Sequence, residues 1–320
     1  MNKSKKIWLF TATAFVLIGI FLFSTAMSAN HWNFSNLSTV KYETNTTSVV
    51  EKFSNIDIQT DTANIFFVPS EDGLCKVICH ETEKNRHSVI VQNETLTIHI
   101  NDEREWYDYI GITWETPQIT VYLPEKEYAS LFIKESTGDI AIPNDFHFQS
   151  MDISLSTGDI KNYASASENM TIKTTTGDIQ IENISAKTIY LSVSTGYVDM
   201  ISAICEENIE IKVSTGKVKL ADVSCKNLIS KGSTGDISLI NLIAKEQISI
   251  KRNTGDVKFS ECDANEIFIK TSTGKVSGSL LSEKTFITNS NTGDIDVPKN
   301  TIGGKCEITT DTGNIKITIK

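Results

Sequence analysis

From residue 129 to the C-terminus, apolar and polar positions alternate in short runs broken by a recurring small polar phrase. Two and four positions after each central glycine lie pairs such as Ile140/Ile142, Ile179/Ile181, Val218/Leu220, Ile237/Leu239 and Ile315/Ile317. Seven and five positions before it lie Leu131/Ile133, Met151/Ile153, Met170/Ile172, Ile189/Leu191, Ile209/Ile211, Ile248/Ile250 and Ile267/Ile269. A smaller pair follows seven and nine positions after the glycine, as in Ile184/Ala186, Ala203/Cys205, Val223/Cys225, Leu242/Ala244 and Cys262/Ala264. Alternation with period two is the mark of a strand with one buried face. Each unit therefore offers about three inward-facing sides.

The phrase recurs ten times, beginning with Ser136 to Ile140 and ending with Asp311 to Ile315. Its glycines are Gly138, Gly158, Gly177, Gly196, Gly216, Gly235, Gly255, Gly274, Gly293 and Gly313, spaced 19 or 20 residues apart. A unit this short cannot close its own core, so its apolar rows must stack on the equivalent rows of its neighbours, about 4.8 Å away. The predicted fold is all-β: a parallel β-solenoid of about ten 19–20-residue turns, right-handed because parallel crossovers nearly always are. Glycine marks the corner. Gly278 stands where an apolar residue is expected, and Ile229 and Ile287 sit one position out of phase, so bulges are expected there.

The first thirty residues differ. Lys3, Lys5 and Lys6 precede an uncharged apolar run from Ile7 to Phe23, long enough for one transmembrane helix, or else a signal peptide followed by small residues. The basic flank places the N-terminus in the cytoplasm and the C-terminal bulk outside a bacterial cell membrane. The expected division is a basic tail at 1–6, an anchor at 7–27, a polar stalk at 28–48, a β-rich cap at 49–128 and the solenoid repeat domain at 129–320. Asp61 to Ile65 reads as a degenerate first copy of the phrase. The last strand, Ile315 to Ile319, is expected to form an open edge through which copies could associate.

A net charge of -10, from 30 Lys+Arg against 40 Asp+Glu, repels phosphate backbones and argues against nucleic acid as a partner. No nucleophile elbow, phosphate loop or zinc motif is present, and the expectation is a non-enzymatic protein with no cofactor. A polysaccharide-active β-helix enzyme is an alternative class, disfavoured by the nearly uniform turn length, which leaves no long loops for a cleft.

With the repeated Ser/Thr-Thr-Gly-Asp-Ile phrase, the N-terminal apolar segment and an acidic strand-rich remainder in view, the chain resembles a bacterial β-strand-repeat family known as putative adhesins. The resemblance spans roughly residues 50–320 and implies a membrane-anchored, adhesin-like or scaffold protein presenting a solenoid surface to an envelope protein or wall polymer. It also implies an alternative, an envelope-stress sensory ectodomain acting through a membrane partner. The family supplies no catalytic residue that maps here.

Candidate sites are few. Asp139, Asp159 and Asp178 follow successive glycines, and stacked carboxylates form a candidate calcium site. Lys217 and Lys275 interrupt the same file, which favours a structural role. Trp106, Tyr107, Tyr109 and Trp114 concentrate aromatic surface and form either a partner patch or the plug of a cap, the plug being favoured. Cys205, Cys225, Cys262 and Cys306 fall in inward register and read as core residues, with a Cys205–Cys225 disulfide geometrically allowed.

Overall fold

The computed structural model describes residues 3–29, 31–32, 40–109, 115–299 and 302–320. The chain is mostly β (67%) and forms a parallel β-solenoid preceded by one helix, Lys3–Ala29, long and apolar enough to cross a membrane. Its apolar side chains from Ile7 to Phe23, Phe10, Phe15 and Phe21 among them, are largely exposed, whereas Met27 near its end is buried.

The predicted rows stack like on like. Ile133, Ile153, Ile172, Leu191, Ile211, Ser230, Ile250, Ile269 and Ile308 pair in succession across parallel strands and are all buried. Each such isoleucine or leucine contributes roughly 1.5–3 kcal/mol by leaving water. The expected bulge at Ile229 does not occur: Ile229 pairs in register with Glu210 and Ser249, and Ser230 takes the inward place. Ile287 likewise stays in register opposite Glu307 and points outward, 52% exposed. Beside Gly278 the pairing does slip, between Phe259 and Cys262. A Cβ on Gly278 would meet the Phe259 carbonyl oxygen at 2.1 Å.

The solenoid starts earlier than expected. Strands Asn55–Gln59 and Asn64–Pro69 pair in parallel with Glu127–Thr137 and Ile140–Ile142, so the assignment of 49–128 to a cap and 129–320 to the solenoid is corrected. Asp61 to Ile65 is indeed the corner of a first turn, with Ala63 stacked under Gly138. On its outer side lie Thr95–Asp102 and Gln118–Leu123, again parallel. The true cap is antiparallel: Cys75–Thr82 runs along Gln118–Leu123, Tyr42–Val49 along Cys75–Thr82, and Asn85–Gln92 along Thr95–Asp102. Part of the expected stalk, Tyr42 onward, is therefore cap strand. Antiparallel strands suit an end because one of their faces can be wet.

At the other end the spatial order departs from the chain order. Val257–Thr273 pairs with Gly304–Thr312, and Lys284–Thr292 lies on the far side of Gly304–Thr312. The corner bonds agree, since the Gly274 amide donates to Thr312 and the Gly313 amide to Thr292, both at 2.9 Å. The last turn is thus inserted beneath the turn before it. Strand Ile315–Ile319 pairs along its length with Val276–Leu280, and Ile295–Asp296 covers Ile315 and Lys316 on the other side. The outermost strands at this end are accordingly Lys284–Thr292 and Ile295–Asp296, and the expected edge of the final strand is covered at Ile315 and Lys316, while residues 317–319 have no strand on that side among the described residues. An inserted last turn cannot peel away without first displacing a neighbour tied in at both of its own ends, which guards against fraying.

Candidate interaction surface

The corner explains the repeated phrase. Gly158 has φ 136, and a Cβ there would lie 1.8 Å from the carbonyl oxygen of Gly138 in the adjacent turn. No side-chain-bearing residue fits that backbone or that approach. The threonine before each glycine supplies the carbonyl that accepts the glycine amide of a neighbouring turn, as in Gly138 N to Thr157 O at 3.0 Å.

The aspartates after the glycines form a hydrogen-bonded ladder. Asp139 Oδ1 accepts the Asp159 amide at 2.9 Å, Asp159 Oδ1 the Asp178 amide at 2.8 Å, and Asp178 Oδ1 the Tyr197 amide at 2.8 Å. Asp236 and Asp256 repeat the contact to Asp256 and Lys275. Asn64 does the same for Asp139, and Asn314 for Asp294. The amide acceptors Asn64 and Asn314 show that the task needs an oxygen and not a negative charge. One oxygen of each of Asp139, Asp159 and Asp178 is thus committed to the backbone, which accounts for the file without calcium.

Trp106 and Tyr107 sit on a short 3-10 turn, Trp106–Tyr109, and are 74% and 53% exposed. Lys84 holds that turn, its Nζ donating to Asp108 at 2.8 Å and lying 5.4 Å from the Tyr107 ring centre. They plug nothing. The buried rings lie elsewhere: Phe53, Tyr128 and Phe148 stack in one row across successive turns, with centroid separations of 6.0 and 5.8 Å, and Phe67 meets Phe146 edge-on. Trp114 and the Tyr109 side chain lie outside the described residues.

Among the described residues one close grouping of potential metal-ligating atoms occurs, Cys79, Glu81 and His87 in the cap. His87 Nδ1 donates to Glu81 at 2.8 Å, and its Nε2 meets the Thr60 hydroxyl at 2.8 Å. The His87 amide and Asn45 also donate to Glu81. Burial pushes the Glu81 carboxyl up, but the bonds from His87 and Asn45 outweigh it and leave its pKa lowered. With both ring nitrogens and both carboxylate oxygens engaged, and both side chains 2% exposed, the group is a cap fastener. Glu135 is different: it accepts one bond, from the Ala63 amide, and burial next to Asp139 and Asp61 raises its pKa to about 8.

The repeat pattern of the Toastrack DUF4097 family matches residues 53–204 and 202–320. The chain belongs to this family. No curated protein matches it significantly. Solved structures of similar shape include a putative adhesin from Bacteroides fragilis NCTC 9343, 15% identical over 87% of this chain and 97% of that one, TM-score 0.41. Two from Parabacteroides distasonis ATCC 8503 each cover 88% of this chain and 98% of their own. One is described as a putative lipid binding protein (13% identity, TM-score 0.49), the other as a putative adhesin (10%, 0.45).

In this Toastrack chain all six cysteines are free and buried, Cys205 and Cys225 included. Burial pushes the thiols up, to about 11 for Cys205 and about 12 for Cys75, Cys79, Cys225 and Cys306. The Glu81–His87 and Phe53–Tyr128 contacts were not legible in the sequence, because they join positions 6 and 75 residues apart with no shared repeat register.

Proposed function

We propose that the chain is a non-enzymatic, membrane-anchored extracytoplasmic protein, adhesin-like, that presents its solenoid as a binding surface. The observation that supports this reading most is the contrast between sealed and exposed chemistry. The close titratable grouping is sealed, with Cys79 buried and Glu81 and His87 fully hydrogen-bonded, whereas the outward strand positions are regular and open. The helix Lys3–Ala29, with Lys3, Lys5 and Lys6 at its start, supports a cytoplasmic N-terminus. Photoreactive residues introduced at Trp106 and at Lys173 test the reading in intact cells. Crosslinks to wall polymer or to foreign surface material are the expected result. Exclusive capture of one integral membrane protein would favour a sensory ectodomain instead.

A further inference from the structure

One outward file departs from the acidic character of the chain. Parallel pairing places Lys134, Ser154, Lys173, Ser192, Lys212, Lys231, Lys251 and Lys270 directly opposite one another on successive turns. The file spans roughly 34 Å at about 4.8 Å per turn and contains no acid. Its last four members are adjacent lysines, all exposed. Like charges directly opposite on a sheet are destabilising, so such a file costs stability unless something neutralises it.

The protein itself barely does so. On one flank the outward neighbours of these four lysines are Glu210, Ile229, Ser249 and Phe268, and on the other Ser214, Ser233, Asn253 and Ser272. Only Lys212 has a carboxylate, Glu210 at 3.0 Å. Among the described residues Lys231, Lys251 and Lys270 form no ion pair, although elsewhere lysines pair across turns, as Lys219 does with Asp199 and Lys187 with Glu168. Aromatic rings accompany the file: Tyr190 lies between Lys173 and Lys212, with their Nζ atoms 5.8 and 4.9 Å from its centre.

We propose that this lysine file is a binding site for a linear acidic polysaccharide lying along the solenoid axis. Resting on the reading above, this names its ligand class and its face. The cations recur at the stacking interval, comparable to the advance of one sugar in an extended glycan, so successive carboxylates meet successive ammonium groups. The flanking Ser214, Ser233, Asn253 and Ser272 offer hydroxyl and amide groups for sugar hydroxyls, while the Tyr190 and Phe268 rings hold lysine ammonium groups beside the file, Lys305 lying 5.2 Å from the Phe268 centre. A file of single point charges on flexible stems suits a polymer of repeated charge better than one compact anion.

The test uses the full chain in detergent micelles, with polygalacturonate as probe and neutral dextran as control. One variant carries K231Q, K251Q and K270Q. A second, with the same net charge, carries K161Q, K258Q and K275Q on other faces. We expect salt-sensitive binding of polygalacturonate that weakens about tenfold or more in the file variant and changes less than about twofold in the second. Equal loss in both variants, equal binding of dextran, or preference for anionic lipid vesicles over polygalacturonate overturns the proposal. If the wild-type chain ignores polygalacturonate yet still crosslinks to envelope material at Trp106 or Lys173, the file is wrong and the broader reading stands. If it does neither, both fall. Thermal melting of each variant verifies folding, and outward glutamines leave the core rows untouched.

Discussion

The guanidinium of Arg252 occupies the space that a side chain on Gly232, in the adjacent turn, would fill: a Cβ on Gly232 would lie 1.5 Å from Arg252 Nη1. Arg252 is 1% exposed, donates to the Val213 carbonyl at 2.9 Å and reaches Ser230 at 3.4 Å, and it forms no ion pair among the described residues. Burial pulls its pKa down to about 10. The three anomalies in the apolar pattern, Ser230, Gly232 and Arg252, are therefore one device.

This coupling predicts strong non-additivity. Gly232→Ala should destabilise by about 2–4 kcal/mol through its clashes, and Arg252→Ala by a similar amount through the void and the unpaired Val213 carbonyl. In the double variant the clash with Arg252 disappears while that with the Val213 backbone persists. A denaturation cycle should give a coupling of about 1–3 kcal/mol, and simple additivity would show that the two residues act separately.

The aspartate ladder separates structure from metal binding. Asp159→Asn keeps the oxygen that accepts the Asp178 amide and should change stability by less than about 0.5 kcal/mol, whereas Asp159→Ala should cost about 1 kcal/mol. Calcium should leave the melting temperature of all three proteins unchanged. A calcium-dependent rise in the wild type that vanishes in Asp159→Asn would restore the metal reading.

Glu135 gives the N-terminal end a pH dependence. Its folded pKa, about 8, lies above the ordinary 4.5, so between these values the folded state holds more protons than the unfolded one. Stability from this group therefore falls as pH rises from about 4.5 to about 8 and is constant outside that window. Melting curves of the wild type should show this loss, and Glu135→Gln should flatten it. Glu81 acts in the opposite sense, its contribution being lost only in acid, as pH falls through its lowered value.

The thiols should be silent. Ellman's reagent added to the native protein should find none of the six cysteines, and reductant should leave the melting temperature unchanged, with full reactivity after unfolding. Rapid native labelling of Cys205 or Cys225 would contradict their burial.

The parts legible in the sequence are those governed by the repeat. Strand register, the inward rows, the corner glycines and the inward cysteines follow from a period that every turn must obey, since each row buries itself only against its equivalent. The insertion of Gly304–Ile319 beneath Lys284–Asp296 carries no such signature, because both turns present the same phrase and each could stack on Gly274. Asn64 and Asn314 in the aspartate position mark acceptors, a signal available in the sequence once the ladder is known. Gly232 and Arg252 drew no notice in the sequence, because their fit depends on a side chain from the adjacent turn filling the place that a glycine leaves open.

The most direct test of the account is sidedness. Because the native thiols are buried, single cysteines introduced at Lys5 and at Lys251 can be probed in intact cells with a membrane-impermeant maleimide. The account predicts labelling at 251 and none at 5 until the membrane is permeabilised. Labelling at 5 but not at 251 would place the solenoid in the cytoplasm and contradict an extracytoplasmic binding surface.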